Sequence, residues 1–132
     1  MKSEVRILRL RRVLIVKAAV TVFVWGLPSL LAPLSFLELL KVPIPAEPVY
    51  LRLFGGAATA WGVAYWFAYR DPLRNVAIVR AGLVDNILPT LIVAFFGLTR
   101  GTSSVFMWLS GALTGVFFLL FLILIPRERD KE

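Results

Sequence analysis

Neither cysteine nor histidine occurs in this chain. The first absence excludes disulfides, thiolate nucleophiles and sulfur-ligated metal or cluster sites. The second removes the commonest general base and, with cysteine also missing, the usual ligands of haem, zinc and copper. Charge is scarce too: 17% of the 132 residues are charged against 59% hydrophobic, and the mean hydropathy is +0.82. That composition lies far outside the soluble range. Any chemistry falls to carboxylates, lysine, arginine, hydroxyls or a borrowed cofactor, and no cofactor or metal of the chain's own is expected.

What fills the chain instead is apolar sequence. Stretches near the length that crosses a bilayer, about 20 residues each, cover roughly residues 13–31, 49–68, 76–98 and 104–125. They use up nearly the whole chain and leave no soluble domain, so residues 1–132 read as one all-α, integral membrane four-helix bundle. Pro28 should bend the first span and Pro33 end it, because proline lacks the backbone donor a helix needs. The basic start followed by an apolar run resembles a signal peptide, but the run is long and no small-residue cleavage site closes it, so it reads as a retained first helix.

The net charge of +7 raises nucleic acid as a partner. The basic residues, however, sit at the ends of the apolar stretches rather than on one soluble face, which marks them as topology signals and argues for no nucleic acid. Lys2, Arg6, Arg9, Arg11 and Arg12 precede the first span, Arg70 and Arg74 lie between the second and third, and Arg127, Arg129 and Lys131 follow the fourth. The positive-inside rule then places both termini in the cytoplasm and the chain in the cytoplasmic membrane, with membrane lipids as its surroundings.

In the first outer connection, Ser35 and Glu38 match a capping box, which predicts a short interfacial helix carrying Phe36, Leu37, Leu39 and Leu40. Pro43, Pro45 and Pro48 then force extended chain. Trp61, Tyr65, Trp66 and Tyr69 crowd the inner end of the second span, where amphipathic rings anchor at headgroup level; a ligand cage is the alternative reading.

Association of helices in lipid depends on close backbone approach and on interhelical hydrogen bonds, so small and polar residues mark inner faces. The packing candidates are Gly55, Gly56, Gly62, Gly82, Gly111 and Gly115. The polar seam collects Lys17, Thr21, Arg52, Thr59, Arg80, Asp85, Asn86, Ser110 and Thr114. Lys17, Arg52 and Arg80 are near enough to an interface to snorkel, whereas Asp85, short and about nine residues into its span, is not. Lys17 enters from the same side, about 7 Å shallower by helical rise, and is the first candidate partner; Arg52, about 13 Å away, is the second. The structural reading is a buried Lys17–Asp85 pair that fixes register, with Asn86 satisfying its remaining valences. The functional reading is a polar pocket in which Asp85 titrates or binds a head group.

The stretch "YLRLFGGAATAWGVAYWFAYRDPLRN", which follows a proline-bearing outer connection, resembles the small four-helix bacterial membrane proteins grouped as DoxX-like, especially the BphX-like branch. The resemblance spans residues 32–98, and the matched positions are Arg52, Gly55, Gly56 and Gly62, with Arg70, Asp71 and Pro72 at the inner turn. It implies a compact four-span bundle in the cytoplasmic membrane, sometimes associated with oxidoreductase systems that use quinones, and it carries over no catalytic residue.

Three functions remain to be weighed. An accessory role, as a subunit or partner of a larger membrane complex or as a homo-oligomer, fits a chain spent almost entirely on spans. Binding or transport of a lipid-soluble, quinone- or lipid-like ligand in the seam around Asp85 is the alternative, and it requires an open centre. A lipid-substrate enzyme using Asp85 as acid or base comes third, because a lone deep carboxylate beside a lysine matches no catalytic arrangement.

Overall fold

The computed structural model describes residues 3–102 and 104–127; Lys2, Arg129 and Lys131 lie outside the described residues. Four long helices and a short one make up most of the described chain: α1 Ser3–Leu31, α2 Leu34–Leu39, α3 Pro48–Arg70, α4 Val76–Arg100 and α5 Val105–Leu124. No strand occurs among the described residues.

The first helix begins well before the expected span and runs through Pro28 without a break. It is α-helical over Ser3–Val20, opens into a π segment over Thr21–Gly26, and resumes as Leu27–Leu31. A proline ring collides with the carbonyl four residues back in a regular helix. The wider turn directly before Pro28 loosens the ladder where that collision would fall, so the helix passes the proline through a local change of helical register. Ala32, extended at ψ 145°, ends the helix ahead of Pro33, as the residue before a proline is driven to do.

The expected capping box of α2 does not form. Pro33 occupies the N-cap, Ser35 lies inside the first turn, and no side chain caps the helix. The proline already fixes the entry and Leu34 follows directly, which leaves Ser35 past the capping position. The far end is closed more carefully. Lys41 N–H donates to the Glu38 carbonyl (2.9 Å) and Val42 N–H to the Leu37 carbonyl (3.0 Å), with Lys41 at φ 59°. This is a Schellman ending with lysine where glycine is usual. Leu37 is buried beneath α2, while Phe36, Leu39 and Leu40 face outward.

Three helices, α1, α4 and α5, are long and apolar enough to cross a membrane, and they point to a membrane-embedded protein. The 23-residue α3 has the length, about 34 Å at helical rise, but is not among them. Its arginine, glycines, tryptophans and tyrosines lower its hydropathy. Outward-facing Phe23, Leu53, Phe95, Leu98, Leu109 and Ile123 give the perimeter an apolar coat.

The long helices pack antiparallel. Helix α1 lies against α3 and α5, α4 lies against α5, and α3 and α4 touch only lightly. The core gathers Leu10, Leu14 and Ala18 of α1, Tyr65 and Ala68 of α3, Val79 of α4, and Phe121 and Leu124 of α5. The α1–α3 pair is tied at both ends. Arg11 donates to the carbonyls of Tyr69 (3.0 Å) and Arg70 (3.1 Å), and Arg52 donates to the carbonyl of Ser29 (2.9 Å). Each arginine thus satisfies last-turn carbonyls of the opposite helix, groups that have no partner within their own helix. On the other side, Ser104 caps α5 by accepting from Met107 N–H (3.3 Å) and also donates to the Lys41 carbonyl (2.8 Å), which fastens the α2 loop to the α4–α5 turn.

Candidate functional site

A lysine ammonium in the interior of a helix assembly needs a counter-charge and a polarisable lining. Lys17, with 2% of its side chain exposed, has both. Its Nζ stands 3.8 Å from Asp85 Oδ2. The rings of Trp25, Phe117 and Tyr65 surround it, with centroids 4.9, 5.0 and 5.3 Å from Nζ. Desolvated cation–π contacts of this kind contribute on the order of 2 kcal/mol. Lys17 therefore turns inward rather than snorkelling.

Tyr65 completes the cluster. Its hydroxyl donates to Asp85 Oδ2 at 2.6 Å, and its ring is fully buried against Phe121, with centroids 5.6 Å apart. Charge-assisted hydrogen bonds of that length are among the strong ones. Tyr65 therefore does not anchor at the headgroups as the aromatic crowding suggested; four rings sit near that helix end, and Trp66 and Tyr69 carry Arg70 and Arg11 over their faces there. Asn86 also departs from expectation. It donates to the Gly82 carbonyl (2.6 Å) and to the Tyr65 hydroxyl (3.4 Å), so it supports the tyrosine and does not touch the ion pair.

A second polar layer lies toward the α4–α5 turn. Thr90 Oγ1 stands 2.9 Å from both the Gly111 carbonyl and Thr114 Oγ1, and 3.1 Å from the Asn86 carbonyl. Trp25 Nε1 donates to Ser110 Oγ at 2.9 Å. The buried Thr21 Oγ1 and Asn86 Oδ1 have no hydrogen-bond partner among the described residues.

The structure thus brings together Lys17, Asp85 and Asn86, and sets Ser110 and Thr114 one layer away. It leaves the others apart. Arg52 is spent on the Ser29 carbonyl. Arg80 faces outward from α4. Thr59 donates to the carbonyl of Gly55 on its own helix at 2.7 Å. Among the glycines, a Cβ at Gly55 would overlap the Ser29–Leu30 backbone, at Gly62 the Val22 side chain, at Gly82 the ring of Phe121, and at Gly111 the side chain of Val93. A Cβ at Gly56 meets nothing within 4 Å, and one at Gly115 meets Thr90 at an ordinary 3.4 Å, so neither serves close approach within the chain. Sequence reasoning missed Trp25, Thr90 and Phe117, and it read Tyr65 as an anchoring ring with a ligand cage as the alternative. Trp25 and Phe117 recur at helical spacing from inward-facing Lys17, Thr21 and Thr114, a signal that helical periodicity could have supplied.

Chemically the cluster holds one carboxylate, one ammonium and one phenol, closed in by aromatic rings. No group of three aspartate, glutamate, histidine or cysteine side chains converges among the described residues. No family model, curated protein or solved structure matches the chain.

Proposed function

We propose that this is a four-span membrane protein, with both termini cytoplasmic, of structural or accessory type: it works through its lipid-facing perimeter, against a larger membrane complex or further copies of itself. The observation that carries this reading is the filled centre. Lys17, Tyr65, Asn86 and Thr114 are all buried, and they occupy with the protein's own side chains the place where a transported molecule would have to pass. An ion pair so enclosed contributes little net stability but penalises every other helix register, which suits a scaffold. The inner-face arginines and the length of α3 support the four-span topology and its orientation.

The natural absence of cysteine makes the test direct. Single cysteines at outward positions such as Leu53, Phe95 and Leu109 are introduced one at a time and cross-linked in native membranes. A discrete adduct from one contiguous set of positions is expected. If no position on the perimeter yields one, the accessory reading fails. Reporters placed before Val13 and after Ile125 should both be cytoplasmic; exposure of either on the outside would overturn the orientation.

A further inference from the structure

Helices α3 and α4 diverge enough to leave an apolar groove of about 390 Å³ between them, walled by Ala60, Trp61 and Ala64 on one side and Ala77, Ile78 and Ala81 on the other. The volume lies within the range of small-molecule sites. Along α4, Ala81 follows Ile78 by three residues and Asp85 follows Ala81 by four, so Asp85 stands one turn beyond the groove wall on the same row. The Tyr65 ring that holds Asp85 leans on groove-lining Trp61, with centroids 5.6 Å apart.

Asp85 is the ionised member of the cluster with an acceptor left open. Its Oδ2 takes the Tyr65 hydroxyl and faces Lys17, whereas Oδ1 accepts no hydrogen bond among the described residues, and 25% of the side chain is exposed. Pro89, which has no N–H, also denies the Asp85 carbonyl its usual helical donor. In hydrocarbon no solvent donor makes up for an acceptor of this strength left open. Lys17 already balances the charge, so the missing group is a donor and not a cation.

We infer that this groove is a lateral binding site for a neutral, membrane-soluble alcohol, whose apolar body lies along Ala60, Ala64 and Ala81 while its hydroxyl donates to Asp85 Oδ1. This goes beyond the accessory reading, since a scaffold alone would leave the groove to bulk lipid chains.

The test uses the full chain in phosphatidylcholine vesicles and a long-chain alcohol bearing a diazirine in its chain. Photolabel should concentrate on peptides containing residues 60–64 and 77–81. Unlabelled alcohol should compete about tenfold better than its methyl ether, the factor a hydrogen bond to a charged acceptor supplies. Replacing Asp85 endangers the fold, so the variant used is Ala81→Leu, which fills the groove and leaves the polar cluster intact; it should abolish the focused labelling. Label spread evenly over the perimeter, equal competition by the ether, or unchanged labelling of Ala81→Leu would each overturn the proposal. None of these outcomes bears on the cysteine cross-linking, so the two readings fail separately.

Discussion

Helix α3 carries two rows of small residues, and the protein treats them oppositely. The row of Gly55 and Gly62 is pressed against α1 so closely that no Cβ fits. The row of Gly56, Ala60 and Ala64, offset by one residue, meets almost nothing: a Cβ on Gly56 has open space, and the two alanines wall an unfilled groove. The residue types are nearly the same. A small side chain permits close approach, and only the neighbour's position decides whether the permission is used. The closed face is also the one tied at both ends by Arg11 and Arg52, while the open face lies across from Ala77, Ile78 and Ala81 of α4 with the groove between them.

The strongest way to test this contrast is to break the cluster that sits between the two faces. Lys17→Met strands the Asp85 carboxylate and should destabilise the protein by about 3–5 kcal/mol. Adding Asp85→Leu to it should restore much of that loss, as read by unfolding in mixed detergent micelles. If the two losses simply add, the residues are not coupled. Next in size is a comparison within α3. Gly55→Ala should cost about 1–3 kcal/mol, because the new methyl meets backbone that cannot step aside. Gly56→Ala should be neutral or stabilise by up to about 1 kcal/mol, because alanine favours the helix. Equal effects at the two glycines would erase the distinction between the faces. The smallest effect concerns the ties: Arg52→Met and Arg11→Met should each lower stability by about 1 kcal/mol through unpaired last-turn carbonyls. Faster amide exchange confined to the affected helix end would sharpen the assignment.

Much of the cluster was legible from depth alone. A carboxylate nine residues into an apolar stretch cannot reach water, and Lys17 is the cation whose rise brings it closest; the two indeed meet at 3.8 Å. Tyr65 was not legible. Its position among Trp61, Trp66 and Tyr69 gives it the same local signature as an anchoring ring, and only the rotation of α3 about its own axis turns one of the four toward Asp85. The roles of Arg11 and Arg52 were hidden for a related reason. Positive charge near a span reads equally well as a topology signal or as a cap, and the difference lies in which helix end stands opposite. The capping box at Ser35 failed because a proline two residues earlier had already set where α2 begins.

The sequence by itself determined that this chain is a set of long apolar helices with one carboxylate, Asp85, set deep among them and Lys17 as its first candidate partner. In an apolar medium every backbone donor must be satisfied within its own segment, and every deep charge must find a partner. Tertiary structure alone decided which small-residue row closes and which stays open, which aromatic ring takes the carboxylate, and how α1 passes Pro28. Those outcomes depend on the rotation and offset of each helix against its neighbours, which no single segment's composition encodes.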